Sequence, residues 1–263
     1  WGPPPLTAKE PVIIVPGIMG SRLNRVSDGE EVWPDSNQMI NPFDLSDSYL
    51  DELKLGIYGT EDTLRDMNPG SVIDREFPLG AEQVAYGNLR DLFLNNGYST
   101  STPNKSYFEF PYDWRLDIHD EAERLSELIL EAISVSPTGK VNIIAHSMGG
   151  LLVKEYLAGN LNPSFVHNVV FAGVPNLGAP KSFKLLNFGD DMDLKRFGIF
   201  GLNEQKAKEI AQNMPSVYEL LPSRQYLSHN TGGLPQDDGA YVIDFRDGRR
   251  ALSYDQTTQF MED

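Results

Sequence analysis

Short runs of apolar residues recur along this chain, and between them lie segments with a helical apolar period. Val12-Ile13-Ile14-Val15 reads as a continuous apolar strand, Val141-Asn142-Ile143-Ile144 as a buried one and Asn168-Val169-Val170-Phe171-Ala172 as another strand, since each is a brief apolar run too short for a helix. Tyr107-Phe108-Glu109-Phe110 reads as a further strand. Tyr86 to Asn96 predicts a helix with Leu89, Leu92, Phe93 and Leu94 inward and Gly97 as its stop. From Asp120 to Ile133, the positions Ala122, Leu125, Leu128, Ile129, Ala132 and Ile133 keep a helical period, and Gly149 to Leu157 predicts a third helix. Strands and helices alternating at this spacing predict a parallel sheet wound on both faces.

The pattern breaks in two places. Residues 22–80 are polar, rich in Asp and Asn and poorly periodic, and are expected to be a long surface excursion. After Ala179 the alternation stops, and short apolar stretches such as Ala207 to Met214, broken by Gly and Pro, predict a cap over residues 180–235. Tyr241 to Phe245 and Ala251-Leu252, around Asp247-Gly248, predict a small hairpin. The expected division is a core over residues 1–179, with the excursion inside it, and a cap segment over 180–263 lacking the last core strands.

Composition narrows the function classes. The formal net charge of −16 repels phosphate backbones, so nucleic acid is not an expected partner, and it disfavours tight docking on anionic membranes. With no cysteine, disulfides and thiolate chemistry are excluded, though the compartment stays open. The chain begins at Trp1 without methionine and is expected to be a processed or excised piece. No His-Glu-x-x-His or complete phosphate-binding loop occurs, and Thr138-Gly139-Lys140 lacks the rest of one. The spacing of Asp190, Asp191 and Asp193 does not match a calcium loop and predicts a solvated acidic turn, so neither metal nor cofactor is expected.

Candidate chemistry centres on Ala145-His146-Ser147-Met148-Gly149-Gly150, between a predicted strand and a predicted helix. A serine at such a junction is similar to the nucleophile elbow of the α/β-hydrolases, a near match to Gly-x-Ser-x-Gly with alanine for the first glycine. The sharp turn lifts the hydroxyl out of the sheet, small neighbours avoid clashes, and the helix N-terminus offers unpaired N–H groups to a developing oxyanion.

Four segments then line up in order: Pro11 to Leu23, Pro111-Tyr112-Asp113-Trp114-Arg115, Ala145 to Gly150, and Gly173 to Pro180; Gly189-Asp190-Asp191 and Glu219-Leu220-Leu221-Pro222 follow. Together they resemble the lecithin:cholesterol acyltransferase-like branch of the α/β-hydrolases, its bacterial members in particular, over roughly residues 10 to 225. The resemblance implies an α/β-hydrolase fold and a serine esterase or acyltransferase acting on lipid acyl esters. It implies Ser147 as nucleophile and the backbone N–H groups of Ile18 and Met148 as the oxyanion hole, converging near the Ser147 hydroxyl.

The pattern then fails. The resemblance implies an acid and a histidine after the serine, yet no Gly-Asp-Gly-Thr-Val motif follows Ser147. Both are expected from a missing C-terminal segment or a second chain. Of the four histidines, His146 is expected to point away from the mouth and pack, His119 to sit at a helix start as a cap or surface group, and His167 to be structural. His229 is the sole in-chain candidate base. Asp113 and Arg115 read as a buried brace, and Met19, Trp33, Phe197, Phe200 and Met214 are candidates to line an acyl pocket. A lipid or acyl-ester substrate, with transient contact to a lipid surface, is the expected partner. The competing reading is a non-catalytic α/β-hydrolase-like binding domain, motivated by the missing acid and base.

Overall fold

The computed structural model describes residues 8–34, 48–56, 67–74, 86–159, 161–190, 204–229, 243–244 and 250–262. Along the chain run β1 (Val12–Val15), β2 (Ser21–Arg25), β3 (Glu31–Trp33), β4 (Met67–Val72), α1 (Gly87–Asn95), β5 (Tyr107–Glu109), α2 (Ile118–Ser134), β6 (Val141–His146), α3 (Met148–Ala158) and β7 (Val166–Ala172). After them come α4 (Pro180–Phe188), α5 (Glu204–Ala211), α6 (Pro215–Glu219), α7 (Arg224–His229), β8 (Ile243–Asp244), β9 (Arg250–Ala251) and α8 (Tyr254–Glu262).

The apolar runs become one parallel sheet in the order β5-β1-β6-β7. β1 is buried at every position, with Ile13 level with Phe108 on one side and Ile143 on the other. A central strand covered on both faces has no polar side to show, which is why its sequence is continuously apolar. Helix α2 begins where the Asp117 carboxylate accepts the His119 N–H at 2.8 Å, and it buries Ala122, Leu125, Ile129 and Ala132. Leu89, Phe93 and Leu94 of α1 pack with Val12, Ile14 and Tyr107, but Leu92 is 57% exposed. The four positions proposed as inward span roughly 200° of the helix, more than one face, so one of them had to point out.

The 22–80 excursion carries regular structure. β2 pairs antiparallel with both β3 and β4, and Leu23, Val32, Trp33 and Met67 face the main core. These strands are short and each buries only two residues, so the stretch reads as merely polar in sequence. A short 3₁₀ helix, Ser48–Leu53, adds Leu50 and Leu53 to the same core.

β7 forms where the sequence predicts a strand and lies at the sheet edge, where Val170 is 55% and Phe171 42% exposed. Among the described residues no strand pairs with its outer side.

The segment after Ala179 is helical and packs on the core. Ala207, Ile210, Ala211, Met214 and Val217 join the hydrophobic cluster of β1 and β6. The stretch expected as one helix from Ala207 to Met214 is divided, because Pro215 starts α6 with Met214 as its cap. β8 and β9 pair as a hairpin, and their connecting turn lies outside the described residues. Asp190 is not part of a solvated turn. It is 5% exposed and pairs with Lys184 at 2.6 Å and Lys181 at 3.5 Å, where the chain turns inward after α4; Asp191 and Asp193 lie outside the described residues. Among the described residues no helix is long and apolar enough to cross a membrane.

Glu121 of α2 is 2% exposed. Burial pushes its carboxyl up to about 7, against the opposing pull of Arg124 at 2.7 Å. The folded state therefore holds a proton that the unfolded chain releases near pH 4.5. Between about pH 4.5 and 7 the folded state binds more protons, so stability should fall as pH rises. Urea midpoints across that window should decline in the parent protein, and Glu121→Gln should flatten the decline. An equal slope in both would remove Glu121 as its source.

Candidate active site

The turn between β6 and α3 places Ser147 at φ 52° and ψ −127°, a backbone conformation that non-glycine residues rarely adopt. Neighbouring contacts enforce it. The Ser147 N–H donates to the Ala172 carbonyl of β7 at 2.9 Å, and the Ser147 carbonyl accepts the Gly150 N–H at 2.9 Å. The side chain is half-buried at the C-terminal edge of the parallel sheet, the edge where open α/β sheets present their ligand sites.

The loop leaving β1 presses directly on this turn. A Cβ on Gly17 would stand 2.9 Å from Ser147 Cβ and 3.2 Å from His146 Nδ1. A Cβ on Gly149 would lie inside the van der Waals radius of the Pro16 carbonyl oxygen, and one on Gly150 would overlap Val174. The small residues around the serine are therefore a packing requirement: they let the loop and the turn touch backbone to backbone. Gly149→Ala should destabilise the protein by ~1–3 kcal/mol through overpacking, although alanine in a helix otherwise favours folding. A urea midpoint at or above the parent's would contradict this account.

The loop itself is a tight turn. Gly20 N–H donates to the Gly17 carbonyl at 3.0 Å, and Met19 takes φ 60°. Its outer side is held by the Trp33 indole, which donates to the Met19 carbonyl at 3.1 Å. Among the described residues neither Ile18 N–H nor Met148 N–H has an acceptor. Met148 opens α3, where the N–H groups of a helix are left unpaired.

Below Ile18 and Met19 lies an apolar cavity of about 60 Å³, floored by Trp33 and Trp114 and roofed by Ile210, Met214 and Val217 of the capping helices. Met19, Trp33 and Met214 were the sequence candidates it contains; Phe197 and Phe200 lie outside the described residues. Leu50, Leu53 and Ile210 had no signal in the sequence beyond being apolar.

The Asp113–Arg115 pair supports this floor. Both residues are buried, and the guanidinium meets the carboxylate at two points, Nε at 2.9 Å and Nη2 at 2.6 Å. Arg115 also reaches the Leu53 carbonyl at 3.4 Å, beside the cavity wall.

None of three histidines is hydrogen-bonded to Ser147. His119 Nδ1 meets Glu155 at 3.0 Å on the surface, and His167 Nδ1 meets Glu10 at 2.8 Å. The bond to His167 is the main cause holding the Glu10 carboxyl below the usual range. His146 does not pack away from the site as expected: it is exposed, stands beside Gly17, and shares a 2.9 Å hydrogen bond with Tyr86. The reason is its place at the last position of β6, where the next residue turns sharply and the side chain is left at the sheet edge. His229 ends α7, and its side chain lies outside the described residues. Tyr86 and Tyr112 touch the loop and were not singled out. Tyr86 was visible only as a helix start, and Tyr112 only as a neighbour of the charged brace.

A parallel sheet flanked by helices, with a serine on a strained strand-to-helix turn, defines an α/β-hydrolase fold. The family model for lecithin:cholesterol acyltransferase matches residues 77–244, and the chain belongs to that family. It is 27% identical to lecithin-cholesterol acyltransferase-like 4 of Arabidopsis thaliana, covering 80% of this chain and 42% of that protein. It is 26% identical to phosphatidylcholine-sterol acyltransferase of Mus musculus, covering 74% of this chain and 50% of that protein. The chain thus spans about half the length of the curated relatives it matches. Among solved structures, a chain of the Tle4–Tli4 complex superposes with a TM-score of 0.57 at 18% identity, covering 97% of this chain and 62% of that one, a likeness of fold.

Proposed function

We propose that this chain carries the nucleophile, the oxyanion hole and part of the acyl pocket of a serine acyl hydrolase or O-acyltransferase acting on lipid esters. The observation that carries the reading is the strained Ser147 turn, pressed against a loop whose Ile18 N–H is unpaired and whose other side walls an apolar cavity.

In this reading Ser147 Oγ attacks the ester carbonyl carbon as a base removes its proton. The carbonyl π electrons move to oxygen, and the oxyanion takes hydrogen bonds from Ile18 N–H and Met148 N–H, each worth ~3 kcal/mol in the transition state. Collapse expels the alcohol, which takes the proton back from the base, and leaves an acyl-enzyme. Water or a second alcohol then repeats the sequence in reverse. The acyl chain occupies the cavity lined by Trp33 and Trp114, where burial of each methylene contributes ~0.8 kcal/mol. The base and its orienting acid are supplied by a further segment or a second chain, with His229, whose side chain lies outside the described residues, the in-chain candidate.

The reading is tested by treating the protein with a fluorophosphonate and mapping the adduct by peptide mass. A single adduct on Ser147, slow to form in the 263-residue chain, fast where acid and histidine are supplied, and slowed by a competing long-chain acyl ester, is the expected result. A Ser147 left intact even where acid and histidine are supplied, with retained binding of a fatty acyl ligand, would instead support a non-catalytic lipid-binding domain.

A further inference from the structure

Two hydrogen bonds run from the β1 loop to the residue before the serine, and a third holds the loop from its other side. Gly17 N–H donates to the Tyr86 hydroxyl at 2.8 Å, and that hydroxyl meets His146 Nδ1 at 2.9 Å. From the other side the Tyr112 hydroxyl donates to the Pro16 carbonyl at 3.1 Å. The peptide between Pro16 and Gly17 is therefore gripped at both its oxygen and its nitrogen.

The proton directions follow from donor counting. A phenol that already accepts the Gly17 N–H has one hydrogen to give, and His146 Nδ1 is where it goes. With the phenol as donor, Nδ1 is bare and the neutral ring carries its proton on Nε2. Partial desolvation of the ring lowers the basicity of His146, the direction that favours the neutral form. The Nδ1 position of His146 is engaged by Tyr86 and not by Ser147.

The next peptide is fixed in turn. The Gly17 carbonyl is held by Gly20 N–H. The Gly17 carbonyl and the Ile18 N–H belong to one planar trans unit and point in opposite directions. Holding both peptides of Gly17 thus sets where the Ile18 N–H points. Glycine at this position has little conformational restraint of its own, so the direction must come from these partners.

We infer that Tyr86 and His146 form a positioning pair that ties the oxyanion loop to the nucleophile turn and aims the Ile18 amide at the reaction centre. The inference rests on the reading of Ser147 as nucleophile. Tyr86 enters from the start of α1, Gly17 from the end of β1 and His146 from the end of β6, so one hydroxyl joins three elements. Neither residue touches substrate; they act through Ile18.

The test uses Tyr86→Phe, His146→Ala and His146→Asn, the last placing an acceptor oxygen near where Nδ1 stood. Two readouts are needed. The first is independent of catalysis: in ¹⁵N-labelled protein, His146 Nδ1 should resonate as an unprotonated ring nitrogen. The Ile18 amide should be ordered in the parent, looser in Tyr86→Phe and His146→Ala, and restored in His146→Asn. The second is the rate of fluorophosphonate capture at Ser147. It should fall ~10- to 100-fold in Tyr86→Phe and His146→Ala, short of or equal to the ~10²–10³ for outright loss of an oxyanion donor. It should stay within about threefold of the parent in His146→Asn, and the double variant should be no slower than either single one, as expected for residues acting as a unit. Thermal melts identify any variant that fails to fold, in which case the nitrogen resonance of the parent decides: a protonated Nδ1 overturns the inference. An Ile18 amide unchanged in the folded variants also overturns it, whatever the capture rates. Absence of capture in the parent, with the amide responding as described, would sink the nucleophile reading and leave the positioning pair standing.

Discussion

Ser147→Ala is expected to abolish covalent capture and to lower hydrolysis of a p-nitrophenyl acyl ester by ~10⁴- to 10⁶-fold wherever the serine is supplied with its base. The size follows from chemistry. A serine hydroxyl is a weak nucleophile at neutral pH, and alanine removes both the attacking atom and the acyl-enzyme through which the reaction is split into two steps. The fold should be unaffected, because the strained backbone at Ser147 is held by its neighbours' hydrogen bonds and not by its side chain. The 263-residue chain by itself is expected to turn over slowly, since no histidine is bonded to Ser147 among the described residues. A longer protein carrying acid and histidine should be fast and Ser147-dependent. Brisk Ser147-dependent turnover by the 263-residue chain would place the base within it, and His229→Ala would then be the variant to make.

Arg115→Met is expected to cost ~3–5 kcal/mol of stability. The guanidinium is 1% exposed and satisfies an Asp113 carboxylate that is 2% exposed. Methionine fills a similar volume but leaves that charge buried without a partner. The double variant Asp113→Leu with Arg115→Met should recover much of the loss, because replacing both charges removes the orphan. Urea unfolding of the two variants and the parent measures this directly. If the single variant unfolds within 1 kcal/mol of the parent, then water reaches the site or the carboxylate takes up a proton without difficulty. Because Arg115 also reaches Leu53 in the cavity wall, the surviving folded fraction should bind long-chain esters less well than short ones.

How much of this was legible in advance depended on which force decided each feature. The central strands and α2 were plain, because burial on two faces demands an unbroken apolar run and burial on one face demands a helical period. Ser147 was plain for a related reason: the turn needs small neighbours at set offsets, and those offsets are local. Leu92 was misplaced because periodicity gives the width of an apolar stripe but not which way it faces. The three strands between Ser21 and Val72 were missed because each is short and buries only two of its residues, too few for a period to show.

By itself the sequence determined what short-range geometry demands: the parallel α/β order, the strained serine, the glycines that let the loop approach it, and the adjacent Asp113 and Arg115. What only the tertiary structure decided were meetings between residues far apart in the chain. Tyr86 stands 69 residues from Gly17 and 60 from His146, yet one hydroxyl serves both. The cavity joins Leu50, Trp114 and Ile210 from three segments. The apolar β7 run reads as a strand in sequence, and the fold sets it at an exposed edge. An apolar residue records that it can be buried, and a polar one that it can be bonded. The partner that satisfies either is set by packing, which no local pattern carries.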